Sequence, residues 1–361
     1  MGYGKLFMFG LGAAVLAVPT PAVAAVGSWS VVAIPNPTAQ FTTLKSVDSR
    51  TDTDAWAVGD TSPPTGGGFQ PVALHWTGAA WTATAVPPQG KGTTLWGVSA
   101  SRADDAWAVG AFFVPGYNGR QQSTALHWNG SAWTPVTVPD VGVLMGVVDV
   151  APGNAWAIGG GTVLHWDGTA WNAVSTPSPG GTGSGSMHAI AAGPAGDIWV
   201  VGSFAPRRHQ TASFSLHLAN GAWSVVPMPA GSTSPWGVVA VGPTEVWAVG
   251  QDNTGSTTAP LTARWNGTAW STVAAPNVPA GSYLRGVTAR SGEVWAVGVA
   301  FTGEAGVVQP FTMRWNGSGW ASVSANAAGS DLWSVSSRQG NARVWAVGET
   351  PPGVGLTVER H

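Results

Sequence analysis

The chain has 361 residues and a formal net charge of −2, with 15 Lys and Arg against 17 acids, which excludes a general polyanion-binding surface for nucleic acid. It contains no Cys, which excludes disulfides, thiolate metal sites and a cysteine nucleophile. Hydrophobic residues make up 44% of the chain, enough for a large core, and Trp, at 22 copies, is the outlier.

The first segment has the pattern of a secretory signal peptide. Lys5 precedes an apolar run from Leu6 to Val18, Pro19 and Pro21 stop any helix, and Ala22-Val23-Ala24 offers the small residues a signal peptidase needs. Cleavage is expected after Ala24, with Ala25 as the alternative, leaving residues 25–361 as one secreted domain. The run is short for a membrane span of roughly 20 residues, so no stable insertion is expected after cleavage.

A repeat then organises the chain. Trp-Ala-Val-Gly begins at Trp56, Trp107, Trp247, Trp295 and Trp345, with variants at Trp156 and Trp199, and successive spacings run from 43 to 51 residues. Behind each of the first six comes an aromatic pair around a turn: Trp76/Trp81, Trp128/Trp133, Trp166/Trp171, Leu218/Trp223, Trp265/Trp270 and Trp315/Trp320. Asn129-Gly130, Asp167-Gly168, Asn266-Gly267 and Asn316-Gly317 mark hairpins there, whereas Asn220-Gly221 sits one position late and predicts a register slip or bulge. A further apolar segment precedes each Trp-Ala-Val-Gly, as in Leu44–Val47, Leu95–Val98 and Leu284–Val287.

Four short strands, A to D, repeated about every 48 residues without helical periodicity, predict an all-β, seven-bladed β-propeller of four-stranded antiparallel blades. The seventh repeat stops at strand C, Leu356–His361, while a strand D without a partner, Gly27–Val32 around Trp29, stands near the N-terminus. The N-terminal strand is therefore expected to pair with the C-terminal strand and close the ring, which removes free sheet edges.

Nineteen of the 22 Trp fall at three repeated positions in strands B, C and D, where inter-blade packing explains them better than ligand stacking. The strand C basic residues His75, His127, His165, His217, Arg264, Arg314 and Arg360 are spread one per blade, so they form a ring rather than a metal cluster. Their expected partners are Asp54, Asp105, Asp197, Glu245 and Glu293, with Asn154 in blade three and Arg343 in blade seven breaking the pattern.

Loop variation lies on one face, because B–C and D–A loops emerge together. Strand A starts at that face, and its second position varies: Lys45, Trp96, Met145, His188, Trp236, Arg285 and Trp333. These are expected to ring the channel mouth, either as a ligand site or as packing. Phe112, Phe113, Tyr117, Asn118 and Arg120 in blade two, and Arg207, Arg208 and His209 in blade four, are further candidates on the same face.

These repeats resemble the secreted Trp-rich propellers with WAVG…HWNGxxW repeats common in actinobacteria, and are similar to the kelch and galactose-oxidase-like superfamily. The kelch Gly-Gly doublet occurs here only at Gly159-Gly160, and galactose-oxidase chemistry does not carry over because it needs a Cys cross-linked to a Tyr.

The function expected is non-catalytic binding of a glycan or extracellular protein by a secreted monomer, with no cofactor, no metal and no nucleic acid. The alternative is a carbohydrate-active hydrolase or lyase using loop acids such as Asp60, Asp140, Asp252, Glu304 or Asp331.

Overall fold

The computed structural model describes residues 29–35, 41–62, 68–116, 119–180, 185–207, 210–302, 307–325, 327, 329–350 and 353–360. The expected signal peptide, Gly27-Ser28, Tyr117, Asn118, Arg208, His209 and Glu304 lie outside them. The described chain forms seven sheets of four antiparallel strands. In blade one, strands A to D are Phe41–Thr51, Asp54–Ser62, Gln70–Trp76 and Trp81–Thr84. The seven strands A touch one another in turn, and that of blade seven meets that of blade one, so the ring is closed.

Both chain ends share the seventh sheet. Ser30–Val32 pairs antiparallel with the strand Val354–Arg360, in the register Ser30↔Glu359 and Val32↔Thr357. Trp29 then does what every strand D Trp does. It meets the strand B Trp of the preceding blade, Trp295, edge to face with centroids 5.8 Å apart.

The same contact recurs around the ring. Trp56 is met by Trp128 and Trp133 of the next blade, each at 4.9 Å, and Trp345 by Trp76 and Trp81 at 4.8 and 5.0 Å. Six of the seven strand B indoles are fully buried; Trp156, the exception, is partly buried and is met by Trp223. Each wedge between blades is thus filled by indoles that remove about 150–250 Å² apiece from water.

The strand C residue opposite each strand B Trp is His75, His127, His165, His217, Arg264 and Arg314 in blades one to six. Each meets the polar residue at the start of strand B, from His127 Nε2 to Asp105 Oδ1 at 2.7 Å to Arg314 Nη1 and Glu293 Oε1 at 3.0 Å. Asn154 serves His165 in the same way at 3.0 Å. Blade seven corrects the sequence alignment. Glu359, not Arg360, faces Trp345, and Arg343 Nη1 meets Glu359 Oε2 at 2.7 Å, so the pair is present with its charges exchanged. Arg360 instead occupies the strand C Trp position and lies over Trp295, 4.1 Å from its centroid.

Blade four corrects the expected slip. Asn220 and Gly221 take left-handed φ values of 52° and 77°, closing a two-residue turn behind the extra pair Ala219↔Ala222. Leu218 still faces Trp223, as Trp128 faces Trp133, so the hairpin is one pair longer and keeps its register.

Candidate functional site

In every blade, strand A carries a bulge at the variable position. In blade one Leu44 pairs with Gly59 and Ser46 with Val58, leaving Lys45 outside the ladder. The same shift isolates Trp96, Met145, His188, Trp236, Arg285 and Trp333. A bulge bends the strand and re-aims the unpaired side chain, here toward the channel. All seven residues line one cavity of about 440 Å³ at the mouth, joined by Gln251 and Tyr283. Below it the channel narrows to about 180 Å³ and reopens at the far end as a cavity of about 640 Å³ lined by Asp48, Asp149 and Arg338.

The last residue of Trp-Ala-Val-Gly makes this bulge possible. A Cβ on Gly59, Gly110, Gly159, Gly202, Gly250, Gly298 or Gly348 would overlap a backbone carbonyl oxygen in strand A or, in blade three, just before it, that of Thr43 in blade one and of Asp331 in blade seven. The motif glycine is a space requirement of the mouth.

The mouth has two unlike halves. On blades six, seven, one and two, protein groups occupy the aromatic surface. Lys45 Nζ stands 3.8 Å from the Trp333 centroid and 5.1 Å from that of Trp96, and the Arg285 guanidinium lies 3.6 Å from Trp333. The electron-rich ring of Trp333 thus draws a cation from each neighbouring blade. Arg285 Nη2 also meets Asp331 Oδ2 at 2.8 Å and donates to the Tyr283 hydroxyl at 2.9 Å. Thr43 Oγ1 donates to Glu349 Oε2 at 2.6 Å, which ties blade one to blade seven.

Burial shapes the charges here. It pushes the Asp331 carboxyl up to about 6 against the opposing pull of Arg285, raises Asp60 against that of Lys45, and lowers Lys45 itself.

On blades three to five the mouth is open. Trp236 is 37% exposed, and His188 stacks on it with centroids 4.3 Å apart and planes 9° from parallel. His188 Nδ1 lies 2.7 Å from the Pro235 carbonyl, and burial lowers the affinity of the ring for a second proton.

Among the described residues, the remaining candidates are not part of the lining of the mouth cavity. Phe113 closes over Gly92 at the rim, and Arg120 is held by Asp140 at 2.8 Å. Arg207 ends strand B of blade four. Of the loop acids, Asp140 also accepts from the N–H groups of Ser123 and Gly142, and Asp252 from that of Thr254, so both serve turns. Among the described residues no group of three or more His, Asp or Glu is placed to hold a metal ion. No helix among them is long and apolar enough to cross a membrane.

Sequence reasoning passed over Gln251, Tyr283 and Glu349. Their signal was present in the repeat. The residue after each motif glycine (Asp60, Ala111, Gly160, Ser203, Gln251, Val299, Glu349) varies as widely as the ring itself. It lies opposite another variable strand A position in most blades, as in Thr43↔Asp60, Ser234↔Gln251 and Asp331↔Glu349.

No protein-family model matches the sequence, and neither does any curated protein. Solved structures do. One described as YCF48 bound to D1 peptide is 15% identical, with a TM-score of 0.62 over 93% of this chain and 99% of that one. The likeness establishes a β-propeller. The propeller domain of the Trilobed protease from Pyrococcus furiosus is 9% identical, with a TM-score of 0.55 over 89% of this chain and 95% of that domain. A Dyadobacter fermentans protein of unknown function is 12% identical, with a TM-score of 0.53 over 93% of this chain and 98% of its own. Identities this low speak for the fold alone.

Proposed function

We propose that this protein is a secreted, non-catalytic binding propeller that receives an extracellular glycan or protein partner at the variable-loop mouth. It would belong with the Trp-rich actinobacterial propellers of kelch and galactose-oxidase-like type. The observation that carries the reading is the seven-fold bulge, which holds seven side chains of five residue types around one cavity of about 440 Å³ on an otherwise repetitive ring. A rigid scaffold presenting varied groups at one opening is suited to recognition. The propeller solved with a bound D1 peptide supports the protein-partner branch. The signal-like composition of residues 1–24 supports export.

The test is binding by the purified protein on glycan and peptide arrays, repeated with Trp236→Ala and Arg285→Ala. Loss of a hit in either variant, with unchanged folding, supports the mouth. A hit that both variants retain rejects it.

One observation favours a hydrolase or lyase as the second reading. Asp331, paired with Arg285 at 2.8 Å, and Asp60 both feel the charge of Lys45, and burial raises both carboxyls, Asp331 to about 6, which suits a general acid. Release of reducing sugar that Asp331→Asn abolishes would replace the binding reading with this one.

A further inference from the structure

We infer that the open half of the mouth is a subsite for one neutral pyranose ring, stacked on Trp236 and hydrogen-bonded by His188 and Gln251. The inference rests on the binding function proposed above and names its ligand chemistry.

Three observations converge. The first is a division of labour among the three mouth tryptophans. Trp333 carries both Lys45 and Arg285, and Trp96 carries Lys45 and packs against Trp333 at 6.1 Å. Trp236 has one face on His188 and is still 37% exposed, so the surface left open is what His188 does not cover.

The second is the histidine tautomer. The Pro235 carbonyl can only accept, so His188 Nδ1 carries the hydrogen in the 2.7 Å contact between them. A neutral ring then leaves Nε2 as a bare acceptor, and among the described residues no protein group engages it.

The third is Gln251, which lines the same cavity from the neighbouring strand with its side-chain amide unengaged among the described residues. It brings both a donor and an acceptor.

A pyranose matches this set. Its C–H face covers an indole, and each of its hydroxyls both donates and accepts, which answers His188 Nε2 and both ends of the Gln251 amide. An aromatic or proline side chain of a peptide would stack on Trp236 but leave those polar groups unanswered. A charged sugar would gain no countercharge from Met145, His188, Trp236 or Gln251, and the two cations of the cavity are already engaged, Arg285 by Asp331 and Lys45 on Trp333. The stack with His188 also fixes the indole before the ligand arrives, which lowers the ordering cost of binding.

The experiment uses the full chain. Neutral, uronic and sialylated glycans are arrayed beside N-acetylated Phe and Pro amides, and the best hit is titrated while indole N–H signals are followed by NMR. Trp236→Phe assigns the Trp236 signal and keeps an aromatic platform if Trp236→Ala perturbs folding. The expected result is a neutral glycan that shifts the Trp236 signal and receives saturation transfer on its ring C–H protons. Trp236→Ala should weaken it at least tenfold and Gln251→Ala roughly fivefold, the loss of about one hydrogen bond. Lys45→Met should change binding less than threefold.

Preference for a charged glycan or for the peptide amides, or shifts confined to Trp96 and Trp333, would overturn the pyranose subsite and leave a binding mouth standing. If no probe moves any of the three mouth indole signals, the subsite and the binding function fall together.

Discussion

The Thr43 carbonyl oxygen stands where a Cβ on Gly59 would have to be. That close approach accompanies the bulge that frees Lys45 from the ladder, and its counterpart recurs in all seven blades.

Gly59→Ala is therefore expected to destabilise the protein by about 3 kcal/mol, the upper end of the overpacking range, because backbone and not a pliable side chain must yield. Gly319→Ala, whose Cβ would meet nothing within 4 Å, serves as the control and should change stability by less than about 0.5 kcal/mol. Urea unfolding midpoints decide between them. Equal midpoints for the two variants would refute the coupling of glycine and bulge.

Tryptophans of the two classes should behave oppositely. Trp56→Ala empties an inter-blade wedge and is expected to cost about 3–5 kcal/mol. Trp236→Ala, at an exposed position, should cost less than about 1 kcal/mol while removing ligand binding. A large stability loss for Trp236→Ala would return that residue to packing.

The exchanged pair of blade seven offers a double-variant test. Glu359→His alone faces Arg343 with a second base, and Arg343→Asp alone faces Glu359 with a second acid, so each should destabilise by about 1–2 kcal/mol. Together they rebuild the arrangement of Asp54 and His75 in blade one. The double variant should recover at least half of the summed loss in thermal unfolding. Strict additivity would mean that the two side chains do not interact.

At the far end of the channel, Asp149 introduces a pH dependence. Burial, with help from the nearby Asp105 charge, pushes its carboxyl from 3.8 up to about 7. The folded state then holds a proton that the unfolded chain has lost. Stability from this group is complete below about pH 4 and falls as pH rises toward 7, by up to about 4 kcal/mol. Asp149→Asn keeps an acceptor for the Ser101 N–H, which Asp149 Oδ2 accepts at 2.9 Å, and should flatten that decline. Unfolding midpoints measured from pH 4 to 8 for both proteins check the sign, and identical slopes would remove Asp149 as the cause.

Much of the architecture was legible because the signals are local and repeated. Asn129-Gly130 and its relatives mark turns, and Trp29, a strand D without a strand C, implied the shared seventh blade. Less legible were features that depend on pairing across strands. Nothing in Leu44-Lys45-Ser46 announces a bulge until Gly59 is set opposite Leu44, and Arg360 looked like the ladder residue until the register put Glu359 there. Gln251 was overlooked because it follows an invariant-looking glycine, and its proximity to Trp236 arises only when strands A and B pair.

By itself, then, the sequence determined seven blades, their closure and the face that varies, since period, turn chemistry and strand alternation act over a few residues. Only the tertiary structure decided which mouth indole is free. Lys45 comes from blade one and Arg285 from blade six to cover Trp333 of blade seven, while His188 of blade four holds Trp236 of blade five open. Those contacts join residues from about 50 to nearly 290 positions apart in the chain, and only the closing of the ring brings such residues together.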